Sequence, residues 1–474
     1  MEQMCNATRM ERDSIGEKSI PADAYYGVQS LRALENFPIS GNKIHPELIR
    51  SLAILKKACA IANKRAGILD EKRAQAIVDA CNLIFQGKYH EQFIVDALQG
   101  GAGTSINMNA NEVIANVAIE LLGGEKGDYS LIHPNDHVNC GQSTNDVIPT
   151  AGKMTVLVLM RDLEHSLEVL QSSFEQKADE FDHVLKMGRT QLQDAVPVRL
   201  GQEFHAYATS VARGRARVHH SSNELLTVNM GGTAIGTGLN ADKTYFCNVT
   251  DILSAYMGRT FRQATDLIDS TQNVDCFAAV SSAVRNCAIA LSKIANDLRL
   301  MSSGPKTGFG EISLPAKQNG SSIMPGKVNP VIPEVVNQVA FRIVGNDVTI
   351  SMAVEAGQME LNAFEPVIFH SLFESIDILT NAVNTFTANC VDGIIANEER
   401  CQELLGSSVG IVTALCPYIG YSDAAALAKE ALDKEVPIRQ LVQSRHILTE
   451  DKLDDVLDIY KMTQPGINGK PSPT

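Results

Sequence analysis

Phe277, Val280, Val284, Cys287, Leu291, Ile294 and Leu298 recur at alternating spacings of three and four without a break. On an α-helix this spacing draws one narrow apolar seam along one side, and such a seam must be covered by other helices of similar length. Val156, Met160, Leu163, Leu167, Leu170 and Phe174 repeat the rhythm, as do Ile368, Leu372, Ile376, Leu379, Val383 and Phe386. A fourth long helix is expected after Pro330, with Val335, Val339, Ile343 and Ile350 on one face. Long helices share a domain most readily as an antiparallel bundle. Their seams outnumber what a single four-helix core requires, so the surplus points to a bundle continued into partner chains. The fold class is mainly α.

The rest of the chain adds shorter pieces. Helices read at 47–65 and 71–86, short elements return after about residue 398, and the ending INGKPSPT has the composition of a loose tail. Strand and helix do not alternate regularly, which disfavours a Rossmann or barrel architecture. A chain of 474 residues exceeds what one hydrophobic core serves. The division expected is 1–145, a mainly helical N-terminal domain; 146–398, the long-helix bundle with a lid loop at 317–330; and 399–474, a small helical C-terminal domain.

A net charge of −14 argues against nucleic acid or an anionic membrane as the main partner. It leaves room for an anionic small substrate, because a few local cations dominate a pocket while distant charges are screened. The ten cysteines are scattered, with no CxxC pair and no Cys/His cluster at zinc spacing, as reduced thiols in a cytoplasmic protein would be. MEQMCNATRMERDS has no apolar core for a signal peptide. No stretch approaches the roughly 18 uninterrupted apolar residues of a membrane helix. The expectation is a soluble intracellular protein.

Polar segments interrupt this helical plan. They are GGAGTSINMN beginning at Gly100, NCGQSTND at 139–146, KMGRTQLQD at 186–194, GGTAIGTGLN at 231–240 and GSSIMPGKVNP at 320–330. Each has a bland reading alone: a turn, a helix cap by Ser143 or Thr144 for a helix after Pro149, or a loop whose Arg189 pairs with a surface acid. Together, loops dense in hydroxyl and amide groups suit one anion-binding pocket, with a lysine supplying net charge. In the last segment Gly320 and Gly326 permit a mobile loop and Pro325 and Pro330 keep it from becoming helix. Such a loop can carry Ser321 and Ser322 over a substrate and exclude water.

GSSIMPGKVNP closely resembles the signature loop of the fumarase/aspartase superfamily of lyases. GGAGTSINMNANEVIAN, HPNDHVNCGQSTND, KMGRTQLQDAVP and GGTAIGTGLN resemble family segments in family order, so the resemblance covers nearly the whole chain. NPVIPEVVNQVAF, AGQMELNAFEPVI and ADAYYGVQSLRALENFPIS are most similar to the branch that deaminates L-aspartate to fumarate and ammonia. The alternative is a class II fumarase, interconverting fumarate and L-malate. Argininosuccinate and adenylosuccinate lyases share the lid signature but differ in the other segments. A crystallin-like scaffold without activity would need none of the polar residues kept here.

The resemblance implies a fumarase/aspartase-type three-domain fold and a homotetramer with a central helical bundle shared between subunits. Its composite active sites draw on three chains. It makes Ser321 the base, an alkoxide when the lid closes. It gives Thr104, Ser143, Thr144 and Ser322 to one substrate carboxylate, and Thr190, Lys327 and Asn329 to the other. Asn145 and Gln191 would lie near the leaving amino group. Gln191 stands where many members of the family, fumarases especially, carry histidine. Glutamine does not titrate, which suits loss of ammonia, since ammonium departs as a neutral molecule without further protonation. Glu334 either tunes this region or favours a helix N-terminus. No cofactor is required. Magnesium activation is a family expectation for which no carboxylate cage in the sequence argues. His133, Asp136 and His137 read as a structural turn rather than a metal cluster, in a region that hosts a secondary anion site in the family.

Overall fold

Helix starts are written locally in this chain. His45 precedes Pro46 and Asp70 precedes Glu71, and each side chain accepts a backbone N–H of the turn it opens: Glu47 to His45 at 3.1 Å and Arg73 to Asp70 at 3.0 Å. The structure, a computed structural model, describes residues 7–470. Part of the leader reading falls on residues 1–6 and part of the tail reading on 471–474, and those positions lie outside the described residues.

Along the chain come the hairpin β1 (Thr8–Arg12) and β2 (Glu17–Pro21), then α1 (Val28–Asn36), α2 (Pro46–Arg65), α3 (Glu71–Phe85) and α4 (Thr104–Leu121). Helices α2 and α3 match the expected 47–65 and 71–86 to within a residue. A five-residue π-helical turn at Pro134–Val138 precedes α5 (Thr144–Glu180). Next are β3 (Leu185–Thr190) and β4 (Gln193–Arg199), paired antiparallel, and α6 (Leu200–Ser222). Two-residue strands β5 (Thr227–Val228) and β6 (Arg262–Gln263), paired parallel, flank α7 (Lys243–Met257). Then come α8 (Asp269–Gln272) and α9 (Asp275–Met301), β7 (Ile312–Ser313), α10 (Val331–Glu355) and α11 (Glu365–Asn389), with β8 (Ile395–Ala396) antiparallel to β7. Six short helices follow: α12 (Glu398–Ser407), α13 (Cys416–Ile419), α14 (Tyr421–Lys434), α15 (Ile438–Ser444), α16 (Glu450–Val456) and α17 (Ile459–Met462).

Contacts divide the chain into two compact units that cut across the long helices. One holds the described part of Met1–Glu164 with Ala216–Cys287 and Phe341–Thr380; the other holds His165–Arg215, Ala288–Ala340 and the described part of Asn381–Thr474. Every residue of the three strongest seams is buried. In the first unit Phe277 meets Phe369 edge-on at 5.2 Å, and Phe369 stacks on Phe373 at 5.5 Å. In the second, Phe174 packs edge-on against Tyr207 at 5.7 Å and Phe386 at 6.1 Å. Each such ring or leucine, taken fully out of water, contributes about 1.5–3 kcal/mol. Among the described residues no helix is long and apolar enough to cross a membrane.

Three expectations need correction. Helix α5 begins at Thr144, so Pro149 lies inside it, not before it. The backbone carbonyl that Pro149 cannot serve, that of Asn145, instead accepts the Asn229 side-chain amide at 2.9 Å. The segment read as a loop around Arg189 is the β3–β4 hairpin. On α10, Ile343 and Ile350 are buried as expected, but Val335 is 38% exposed. That helix also presents Phe341, Val344, Val348 and Met352 to solvent.

Candidate active site

Thr104 opens α4 behind a glycine-rich turn in which Ala102 adopts a left-handed φ of 54°. Its exposed hydroxyl donates to the Gly101 carbonyl at 2.7 Å. One turn on, the Asn107 amide donates to the Thr144 hydroxyl at 3.4 Å and to Asn139 Oδ1 at 3.1 Å. The GGAGTS turn and the start of α5 are thereby brought together. Asn139 Oδ1 also accepts from Asn111 at 3.2 Å and from the Lys56 ammonium at 2.9 Å, and Lys56 donates again to Gln142 Oε1 at 2.9 Å. Lys56 is fully buried, and burial pushes its amine down to about 8.

The start of α5 is a reciprocal cap. Ser143 Oγ accepts the Asn145 N–H at 3.2 Å, while the Asp146 carboxylate accepts the N–H of Ser143 at 2.9 Å. The Asn145 side chain donates to the Ala234 carbonyl at 2.7 Å, and this brings the GGTAIGTGLN loop to the same place. Thr104 further lines a cleft of about 470 Å³ with Gln29, Arg32, His133 and Asn135. There Arg32 is already held by Asp13 through bonds of 2.8 and 3.0 Å. The imidazoles of His133 and His137 accept backbone N–H groups of their own π-helical turn, the structural role read for HPNDHVN. Among the described residues no group of three or more His, Cys, Asp or Glu is placed to hold a metal ion.

The other unit carries the remaining candidates. Thr190, Gln191 and Leu192 form the exposed tip of the β3–β4 hairpin, with Gln191 at φ 53° and Leu192 at φ 63°. Two successive left-handed residues define a tight hairpin turn that normally takes Asn-Gly, so this tip is strained. What holds it is a buried ion-pair network at the hairpin's base. Lys186 lies 2.9 Å from Glu203 and 3.1 Å from Glu311, and Arg189 reaches Glu311 at 2.8 Å while covering the Phe309 ring. The acid expected at the surface is fully buried: Glu311 is 0% exposed.

The GSSIMPGKVNP loop closes on itself. The Gly320 N–H donates to the Lys327 carbonyl at 2.7 Å, and the Asn329 amide donates to the Gly320 carbonyl at 2.8 Å. A β-carbon at position 320 would stand 2.6 Å from that Lys327 oxygen, which is why only glycine fits. Gly326 takes the left-handed φ of 79° that turns the chain back. Ser321 Oγ accepts two backbone N–H groups, from Ile323 at 3.2 Å and Met324 at 3.0 Å. Two donors aimed at one hydroxyl oxygen favour its ionised form. The backbone of its own turn thus supplies donors to Ser321 directly. Ser322 and Lys327 are exposed.

The ten predicted residues thus fall into two groups, Thr104, Ser143, Thr144 and Asn145 in one unit and Thr190, Gln191, Ser321, Ser322, Lys327 and Asn329 in the other. Among the described residues six of the nine left-handed non-glycine residues fall in the polar segments or in AGQMELN: Ala102, Gln191, Leu192, Thr233, Asn240 and Met359, the others being Tyr89, Glu435 and His446. Strain of that kind persists where surroundings enforce a geometry, which speaks against idle linkers. Sequence reasoning missed Lys56, Asn107, Asp146 and Glu311. Lys56 was findable, since it interrupts the apolar stripe Ile49, Leu52, Cys59 on α2 at helical spacing, and a lysine there is buried.

This helical scaffold with its hydroxyl- and amide-rich segments is that of a lyase. Residues 16–345 match the Lyase family and residues 411–464 the Fumarase C C-terminus family. The chain belongs to the fumarase/aspartase superfamily of lyases. It is 57% identical over 462 residues to an aspartate ammonia-lyase of Bacillus sp., covering 98% of this chain and 99% of that one. A fumarate lyase:delta crystallin from Brucella melitensis bound to cobalt superposes with a TM-score of 0.94 at 49% identity, covering 97% of this chain and all of that one. The class II fumarase of Schistosoma mansoni superposes with a TM-score of 0.92 at 34% identity, covering 96% and 99%.

Proposed function

We infer that this lyase deaminates L-aspartate reversibly to fumarate and ammonia. The observation that carries the reading is 57% identity with an aspartate ammonia-lyase along nearly the whole of both chains. Glutamine at position 191, on the hairpin tip, agrees with it. In the proposed mechanism the Ser321 alkoxide removes a proton from carbon 3 of aspartate. The electron pair passes first into the adjacent carboxylate, giving an aci-carboxylate dianion, and then forms the carbon–carbon double bond as the amine leaves carbon 2 as ammonia. The two N–H groups held on Ser321 Oγ support the base role. Thr104, Ser143, Thr144 and Ser322 would hold one carboxylate, Thr190, Lys327 and Asn329 the other, and Asn145 and Gln191 the amino group.

The enzyme works as a homotetramer in the cytoplasm, each site assembled from segments of three copies, with domains at 1–145, 146–398 and 399–474. Exposed apolar side chains on the site segments support assembly: Leu192 is 64%, Leu239 68%, Ile323 84% and Met359 81% exposed. The test is ultraviolet absorbance of fumarate with L-aspartate in one cuvette and L-malate in another. Fumarate from aspartate alone, with equimolar ammonia, is expected. Fumarate from malate alone would establish a fumarase and overturn the reading.

A further inference from the structure

Asp146 is fully buried, yet it carries a carboxylate at the point where two of the site's segments meet. One oxygen accepts the N–H of Ser143 at 2.9 Å; the other accepts those of Gly231 at 3.2 Å and Thr233 at 3.1 Å. The same segments are joined twice more, through the Asn145 amide on the Ala234 carbonyl at 2.7 Å and the Asn229 amide on the Asn145 carbonyl at 2.9 Å. Thr233 is meanwhile held at φ 54°, which a threonine adopts only under constraint. We propose that Asp146 is a positioning residue for the reaction: its carboxylate fixes Thr144 and Asn145 by tying the first turn of α5 to the Gly231–Ala234 loop. This proposal rests on the aspartate-deamination reading and adds a residue to it.

The chemistry singles out a carboxylate. Three N–H groups converge on two acceptor oxygens, and an amide in the same place would present its own NH2 to at least one of them. The loss is felt fully, because a buried N–H left facing a donor has no water to turn to. The titratable groups facing Asp146 are Lys56 and Cys59 from α2 and Tyr245 from α7. Burial holds the thiol and the phenol neutral and raises the Asp146 carboxyl to about 6, with Lys56 and the three N–H donors opposing that rise.

Two measurements on the intact enzyme test the proposal. In Asp146→Asn, the KM for L-aspartate should rise about tenfold or more with a smaller change in kcat, because groups that hold substrate and transition state alike are displaced. Amide hydrogen exchange at Gly231 and Thr233 should quicken in step. An unchanged KM overturns the proposal, whether or not exchange quickens, since a purely structural role would leave substrate binding intact. Should the variant fail to fold, the unaltered enzyme decides. Protection of the Gly231 and Thr233 amides, corrected for intrinsic exchange, should fall between about pH 7.5 and about pH 5 as Asp146 takes up its proton. Protection that stays level across that range overturns the tie. If the unaltered enzyme does not turn over L-aspartate at all, the underlying reaction fails instead, a result separate from either Asp146 arm.

Discussion

Ser321 shows how much a single residue can owe to its own turn. An isolated serine hydroxyl is far too weak an acid to furnish an alkoxide, so something must favour the charge. Here that something is local: the amides of Ile323 and Met324 point at Oγ because Gly320 and Asn329 close the loop behind it. Ser321→Ala removes the proposed base and no packed apolar atom. Its kcat on L-aspartate should fall by about 10²–10⁴-fold or more, while the thermal midpoint and assembly stay as in the unaltered enzyme. Retention of near-normal turnover would remove Ser321 from the mechanism. A simultaneous loss of assembly would move its role from chemistry to structure.

At the scale of elements, the β3–β4 hairpin depends on a residue distant in sequence. Glu311, 122 positions beyond Arg189, binds both Arg189 and Lys186 in a site closed to water. Neutralising it leaves Arg189 without its charge partner and Lys186, only 3% exposed, with Glu203 alone. Glu311→Gln should lower unfolding stability by about 3–5 kcal/mol, read as a drop in denaturant midpoint, and depress turnover by loosening the Thr190–Gln191 tip. A midpoint within the error of the unaltered chain would show that the network contributes nothing. The same hairpin marks the limit of what was legible in the sequence. The seams of α5, α9 and α11 could be read because burial on a helix repeats every three or four residues. Helices α2 and α3 could be placed because their caps are local. Gln191–Leu192 carries none of the Asn-Gly chemistry that announces such a turn; a glutamate from elsewhere in the chain sets it. Likewise, Pro149 reads as a helix boundary until Asn229 is known to satisfy the Asn145 carbonyl. The site's own segments were legible as groups of hydroxyls and amides. Lys56, Asp146 and Glu311 were not read, because their roles lie in what they bind beneath those segments.

For the whole molecule, the question is which side of α10 faces what. Ile343 and Ile350 are buried within the chain, yet Phe341 and Met352 are each 68% exposed and Val348 56%. Phe341, Val344, Val348 and Met352 follow one another at helical spacing, so the exposed surface is a continuous stripe rather than scattered side chains. A chain of net charge −14 repels its copies at long range, and a stripe of this kind overcomes that only if burying it gains more than the repulsion costs. Four copies in solution are expected by sedimentation velocity or light scattering. Phe341→Glu places a carboxylate in the stripe without touching a residue buried inside the chain. It should shift the particle toward smaller species, with helical content intact and turnover of L-aspartate lost together with the tetramer. Were the unaltered protein monomeric and fully active, the site would be complete within one chain, and the exposed tip of Gln191 and Leu192 would need another partner. Were Phe341→Glu to dissociate the tetramer without loss of turnover, assembly would be real but separate from catalysis.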